Sequence, residues 1–264
     1  MSILDPKKAR LKKTLKSGGP IGVAWFTLGS TVLIEVAGRH GMDAVVIDMQ
    51  HGLFDRLSLE AAVTASGAPV LVRTRDDTAA SIGEALDAGA EGVLVPLVET
   101  AEAAAAVASA CRYPPAGHRS GGGVRPLADF GTYASTANGA VVAGVMIETE
   151  KGLAAAAEIA ASGVDLVFIG TGDLALSLGV APGSAEHSAA CAEILAACKA
   201  AKVPCGVFAM SPAAAAARIG EGYALSVATI DVAAFETRTA EDIAVFRDGA
   251  VKKKPAPRAK KRPA

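Results

Sequence analysis

Eight short runs rich in Val, Ile and Leu, separated by alanine-rich segments, predict a closed (β/α)8 barrel, an α/β fold, for this chain of 264 residues. Each run has the length and composition of a strand buried on both faces, as a parallel sheet requires. Eight is the strand count of a closed barrel, and such barrels use about 250 residues in one domain. A doubly wound open sheet would carry a phosphate-binding GxGxxG after its first strand; the turn there reads TLGST.

The strands are expected at IGVAWF (21 to 26), DAVVID (43 to 48), PVLVRT (69 to 74) and EGVLVP (91 to 96), then VVAGVMIE (141 to 148), DLVFIG (165 to 170), VPCGVF (203 to 208) and YALSVAT (223 to 229). Between them TAEAAAAVASACR (100 to 112), LAAAAEIAAS (153 to 162) and SAACAEILAACKA (188 to 200) favour helix by propensity. Residues 113 to 133, which include the glycine triplet 121 to 123, read as a long irregular stretch, expected as a mobile loop over the barrel mouth.

With 51% hydrophobic residues the chain can bury a large core, and one domain over residues 1 to 250 is expected. Its 26 basic and 27 acidic residues nearly cancel, which argues against nucleic acid or a membrane surface and for a small-molecule substrate. Cys111, Cys191, Cys198 and Cys205 form no CxxC or Cys/His cluster and are expected as reduced packing residues. No signal-peptide run or membrane span is visible, so a cytoplasmic protein is expected. The closing VKKKPAPRAKKRPA (251 to 264) joins proline to like charges and is expected as a disordered basic tail.

Catalytic groups of such barrels gather at the carboxyl ends of the strands. Here those ends carry Asp48 followed by Gln50-His51-Gly52, then Arg73, Glu148, and Gly170-Thr171-Gly172-Asp173. Glu148 and Asp173 are hard oxygen ligands suited to Mg²⁺ or Mn²⁺, which would polarise a 2-oxo acid and stabilise its enolate. The alternative is that both acids only cap helices. Arg73, otherwise among apolar residues, needs an anion: an enolate oxygen, or a neighbouring strand-end acid. Asp48 stands three residues before His51, close enough to orient its ring for proton transfer, the alternative being a histidine satisfied in a tight turn. His40, His118 and His187 read as ordinary surface. The first-turn N–H groups from Gly170 to Gly172 suit a carboxylate. No lysine stands on a strand for Schiff-base chemistry; Lys151 comes closest, in the following helix.

In order, DAVVIDMQHG, PVLVRT, LDAGAEGVLVPLVETAEAA, YPPAGHRSGG, VMIETEKGL and DLVFIGTGDLALSLG resemble the HpcH/HpaI aldolase family of metal-dependent pyruvate aldolases, over roughly residues 20 to 230. The resemblance implies a TIM barrel of the phosphoenolpyruvate/pyruvate type, assembled as a homohexamer. It implies Mg²⁺, Mn²⁺ or Co²⁺ on Glu148 and Asp173, substrate binding by Arg73, and a proton relay of His51 and Asp48. Asp87 matches an acid lent to the adjoining subunit's site, and Arg119 a residue near the acceptor aldehyde. Trp25 and Gly172 complete the expected substrate contacts. Met146, Thr171 and Ala175 depart from common glutamine, proline and serine positions.

The activity expected is reversible cleavage of a 4-hydroxy-2-oxo acid to pyruvate and an aldehyde. The alternatives are a citrate-lyase or malyl-CoA type of lyase, which would need a surface for coenzyme A that is not expected in the short stretch after the eighth helix, and a silent barrel that binds 2-oxo acids.

Overall fold

A computed structural model describes residues 10–251. All eight expected strands form, with ends within two residues of those read from the sequence: β1 (Ile21–Phe26), β2 (Ala44–Asp48), β3 (Val70–Arg73), β4 (Gly92–Val95), β5 (Val142–Ile147), β6 (Leu166–Ile169), β7 (Cys205–Val207) and β8 (Leu225–Ile230). They pair in parallel and in sequence order, and β8 closes on β1. The helices are α1 (Arg10–Ser17), α2 (Thr31–Gly38), α3 (Arg56–Ala65), α4 (Ala79–Asp87), α5 (Ala101–Ala110), α6 (Val124–Leu127), α7 (Phe130–Ala140), α8 (Glu150–Ala154), α9 (Ala156–Ala161), α10 (Thr171–Leu178), α11 (Ala185–Ala201), α12 (Pro212–Glu221) and α13 (Asp231–Val251). The fold is the expected (β/α)8 barrel.

The chain divides after Asp231 into two compact units. The first is the barrel. The second begins at Val232 and is helical through the described residues, with Arg238 bonded to Asp242 one turn on. The expected basic tail, apart from Val251, lies outside the described residues. No described helix is long and apolar enough to cross a membrane.

Strand side chains alternate between two hydrophobic layers, as the period of two demands. Val23, Trp25, Val46, Leu71, Leu94, Met146, Phe168 and Val227 fill the barrel interior. Ala24, Val45, Ile47, Val72, Val93, Val145, Val167 and Ile169 pack outward against the helices. All four cysteines are free and buried, as expected. Burial pushes the Cys111 thiol up to about 12, so it stays protonated and inert.

Helix α1 was not legible as a helix. Its Leu11 and Leu15 join the interior cluster. The Glu91 carboxylate accepts the Arg10 and Leu11 N–H groups that open the helix. Buried Lys12 reaches the Val141 carbonyl at 2.8 Å and Asp165 at 2.8 Å. These partners sit at strand beginnings, so α1 plugs the amino end of the barrel.

Residues 113 to 133 correct the sequence reading twice. The segment is partly helical, since α6 and the start of α7 fall inside it; α7 forms because Tyr133, Ala137 and Ala140 bury one face. It also lies at the end opposite the mouth. Arg125 binds the Ala88 carbonyl, the Glu60 carbonyl and Thr64 Oγ1, and a Cβ on Gly123 would collide with Asp87. Helix carboxyl ends lie beside strand amino ends in a β/α barrel, so this segment covers the base.

Candidate active site

Continuing the two-residue period beyond the last apolar interior residue turns Asp48, Arg73 and Glu148 inward, with Gly170, at the mouth. The register aligns Asp48 with Arg73 on neighbouring strands. Asp48 is fully buried, and its carboxylate is saturated with donors. Arg73 Nε donates to Oδ1 at 2.9 Å and Nη2 to Oδ2, forming a bidentate pair. The Gln50 and His51 N–H groups donate to Oδ1 at 3.0 and 3.1 Å, and Trp25 Nε1 reaches Oδ2 at 3.4 Å. Burial alone would raise this carboxyl; the Arg73 guanidinium and the two backbone donors outweigh it and hold Asp48 below the ordinary carboxylate value.

Arg73 therefore has the strand-end acid as its partner, while its guanidinium also lies 5.0 Å over the Trp25 ring. Asp48 fixes the turn that carries His51, but through the backbone; the His51 side chain is exposed. The expected ring-to-carboxylate contact is replaced because the lone pairs of Asp48 are already occupied.

Neither Glu148 nor Asp173 serves as a helix cap. Thr149 caps α8, and Gly170, without a side chain, stands at the cap position of α10. Glu148 is 1% exposed; Oε1 accepts the Leu97 N–H at 2.8 Å, and Oε2 is buried without a partner. Leu97 is held at φ 55°, a conformation that non-glycine residues seldom adopt, so the backbone is bent to aim that donor. Burial pushes the Glu148 carboxyl up to about 7 against the pull of the Leu97 N–H; the nearby Asp173 charge raises it and Arg73 lowers it. A Cβ on Gly170 would come within 2.1 Å of Glu148 Oε2, so only glycine leaves room for that oxygen.

A buried, partnerless carboxylate oxygen beside a second, exposed carboxylate fits a divalent cation, which would supply the missing partner and cancel the repulsion. The two acids stand as a pair: among the described residues no group of three or more His, Cys, Asp or Glu is arranged to hold a metal ion.

The turn leading to Asp173 is anchored at Thr171, whose Oγ1 donates to the Phe208 carbonyl at 3.2 Å. Phe208 meets the Trp25 ring edge-on at 5.3 Å. His187, expected at the surface, is buried at 3% exposed and bonds to the Thr171 carbonyl. His118 and His40 are exposed, as expected.

Asp87 and Arg119 are not brought to this mouth. They pair with each other at 2.9 Å at the base, where α4 ends. Arg119 is 5% exposed, lies over the Tyr113 and Tyr133 rings, and leaves Nε without a partner. A cavity of about 420 Å³ opens beside them, lined also by Arg56, Glu84, His118 and Ser120.

The model of the HpcH/HpaI aldolase/citrate lyase family matches residues 22–237. The chain belongs to that family. A hydroxypyruvate/pyruvate aldolase from Rhizorhabdus wittichii is 36% identical over 247 residues, 90% of this chain and 98% of the relative. A 4-hydroxy-2-oxovalerate aldolase from Rhodococcus jostii is 40% identical over 185 residues, 67% of this chain and 70% of the relative. The crystal structure of an HpcH/HpaI aldolase/citrate lyase family protein from Burkholderia cenocepacia superposes with a TM-score of 0.85 at 31% identity, covering 90% of this chain and 98% of that one.

Three residues that shape this mouth were missed in the sequence. Leu97 gives no signal, because its role is a backbone dihedral. Phe208 closes a strand and read only as packing. His187 had a faint signal: it follows the α11 cap Ser184 by three residues, so it sits in the first turn, where a side chain can reach back.

Proposed function

We propose that this chain is a class II, divalent-metal-dependent pyruvate aldolase that reversibly cleaves a 4-hydroxy-2-oxo acid to pyruvate and an aldehyde. The observation that carries this reading is the buried, partnerless Glu148 Oε2, close enough to Asp173 and to Arg73 to feel both charges. Family membership and the aldolase names of the relatives support it.

Glu148 and Asp173 would hold Mg²⁺, Mn²⁺ or Co²⁺, which would supply Lewis-acid polarisation of the 2-oxo group. The N–H groups around Gly172 receive the substrate carboxylate at the start of α10. Arg73, braced by Asp48 and stacked on Trp25, presents its remaining N–H to the enolate oxygen. His51 takes the 4-hydroxyl proton through water. The O–H electrons then form the aldehyde carbonyl, the C3–C4 bond breaks, its pair becomes the C2–C3 double bond, and the C2 carbonyl electrons move onto the enolate oxygen. The proton taken from the 4-hydroxyl then returns from His51 through water to C3, giving pyruvate. Asp48 keeps its negative charge throughout, since Arg73 and two backbone donors hold it ionised.

We further propose a homohexamer in which Asp87 and Arg119 complete a neighbour's site. Their distance from this chain's own mouth, the unpartnered Arg119 Nε and the adjoining cavity support that reading.

The decisive assay mixes pyruvate with short aldehydes and each metal in turn. Adducts that form with metal and vanish in EDTA are expected; no adduct with any aldehyde, or full activity in EDTA, sinks the proposal.

A further inference from the structure

We propose that His187 is a positioning residue that sets the Gly170–Asp173 turn, and through it the placement of Asp173 opposite Glu148. The inference rests on the metal reading above and adds to it a residue that touches neither metal nor substrate.

His187 is the third residue of α11, and its own N–H is taken by Ser184 Oγ at 3.2 Å. Its ring turns back. The Gly183 N–H donates to Nδ1 at 3.0 Å, so Nδ1 bears no proton; Nε2–H then donates to the Thr171 carbonyl at 2.9 Å. A backbone N–H can only donate and a carbonyl can only accept, so the two partners fix both tautomer and orientation. Cys191 Sγ, 3.9 Å from Nε2, packs on the same ring.

Thr171 is where an anchor is needed. It stands between Gly170 and Gly172, the residue type with the widest backbone freedom, and α10 has no side-chain cap of its own. Two of the turn's tertiary hydrogen bonds fall on Thr171, Oγ1 to Phe208 and the carbonyl from His187; the Gly170 N–H, donating to the Ile147 carbonyl at 3.3 Å, holds only the residue before it. Asp173 follows two residues later, and metal ligands tolerate only about 0.5 Å of misplacement.

The test compares His187→Gln, which keeps an N–H near the place of Nε2, with His187→Asn, which keeps only a group near Nδ1, and with His187→Leu. Mn²⁺ is titrated calorimetrically in the presence of oxalate, at a temperature where circular dichroism shows each variant folded. The Gln variant is expected within about twofold of wild type, and the Asn and Leu variants weaker by about tenfold or more. Wild-type affinity in the Asn variant, or equal losses in Gln and Leu, overturns the proposal. If wild type takes up no Mn²⁺, the metal reading fails. The positioning role is then decided by NMR order parameters of the Gly172 and Asp173 amides in metal-free protein. Lower values in Asn than in Gln support it, and equal values overturn it.

Discussion

At Glu148 the cost of burying a carboxylate shows as a raised proton affinity. Its folded-state value of about 7 lies above the 4.5 of an exposed glutamate. The folded state therefore holds a proton between those values that the unfolded chain has lost. The contribution of Glu148 to stability is fully present below 4.5 and is lost as pH rises to about 7, by on the order of 3 kcal/mol. Metal-free protein is expected to melt at a clearly lower temperature at pH 8 than at pH 5.5, and Glu148→Gln to remove most of that slope; calorimetry at both pH values checks it. An unchanged slope in the variant refutes the assignment. Asp48 acts in the opposite sense: its lowered value adds stability that disappears only as pH falls below the ordinary 3.8, so the two windows do not overlap. Both acids, with Arg73, were readable from sequence because a strand buried on both faces has no other reason to end in a charge. The exposed ring of His51 was not, because the lone pairs it was expected to meet are claimed by backbone donors and Arg73.

The strands were legible as elements for a similar reason: eight Val/Ile/Leu runs separated by alanine-rich helices admit few other arrangements. Two elements were not. Helix α1 has only Leu11 and Leu15 as apolar signals, and it is held by Glu91 and Asp165, which lie far along the chain. Helix α7, FGTYASTANGA, contains two glycines and poor helix formers, so tertiary burial of Tyr133 overrides propensity. The β6–α10 junction offers a test at this scale. Gly170→Ala places a methyl within 2.1 Å of Glu148 Oε2, so either the carboxylate or the turn must move. The variant is expected to fold, lose Mn²⁺ affinity by about tenfold or more, and melt lower. Wild-type Mn²⁺ affinity in a folded Gly170→Ala protein contradicts the tight fit.

For the whole molecule, the separation of Asp87 and Arg119 from the mouth invites a mixing experiment. Asp87→Asn and Glu148→Gln are each expected to be nearly inactive. Co-refolded in equal amounts, they are expected to recover about a quarter of wild-type activity, since a site that pairs one protomer's intact mouth with a neighbour's intact Asp87 is restored. Failure of two folded, co-assembled variants to complement each other removes Asp87 from the shared site.

The α1 plug bears on kinetics as well. With Leu11 and Leu15 packed into the interior cluster beside Trp25, Met146 and Phe168, the base is filled and substrates are expected to enter by the mouth. Traffic through a single door is first in, last out. Pyruvate, held deepest, is expected to leave after the aldehyde, so in the cleavage direction pyruvate inhibits competitively against the hydroxy-oxo acid and the aldehyde does not. Competitive inhibition by the aldehyde alone reverses that order.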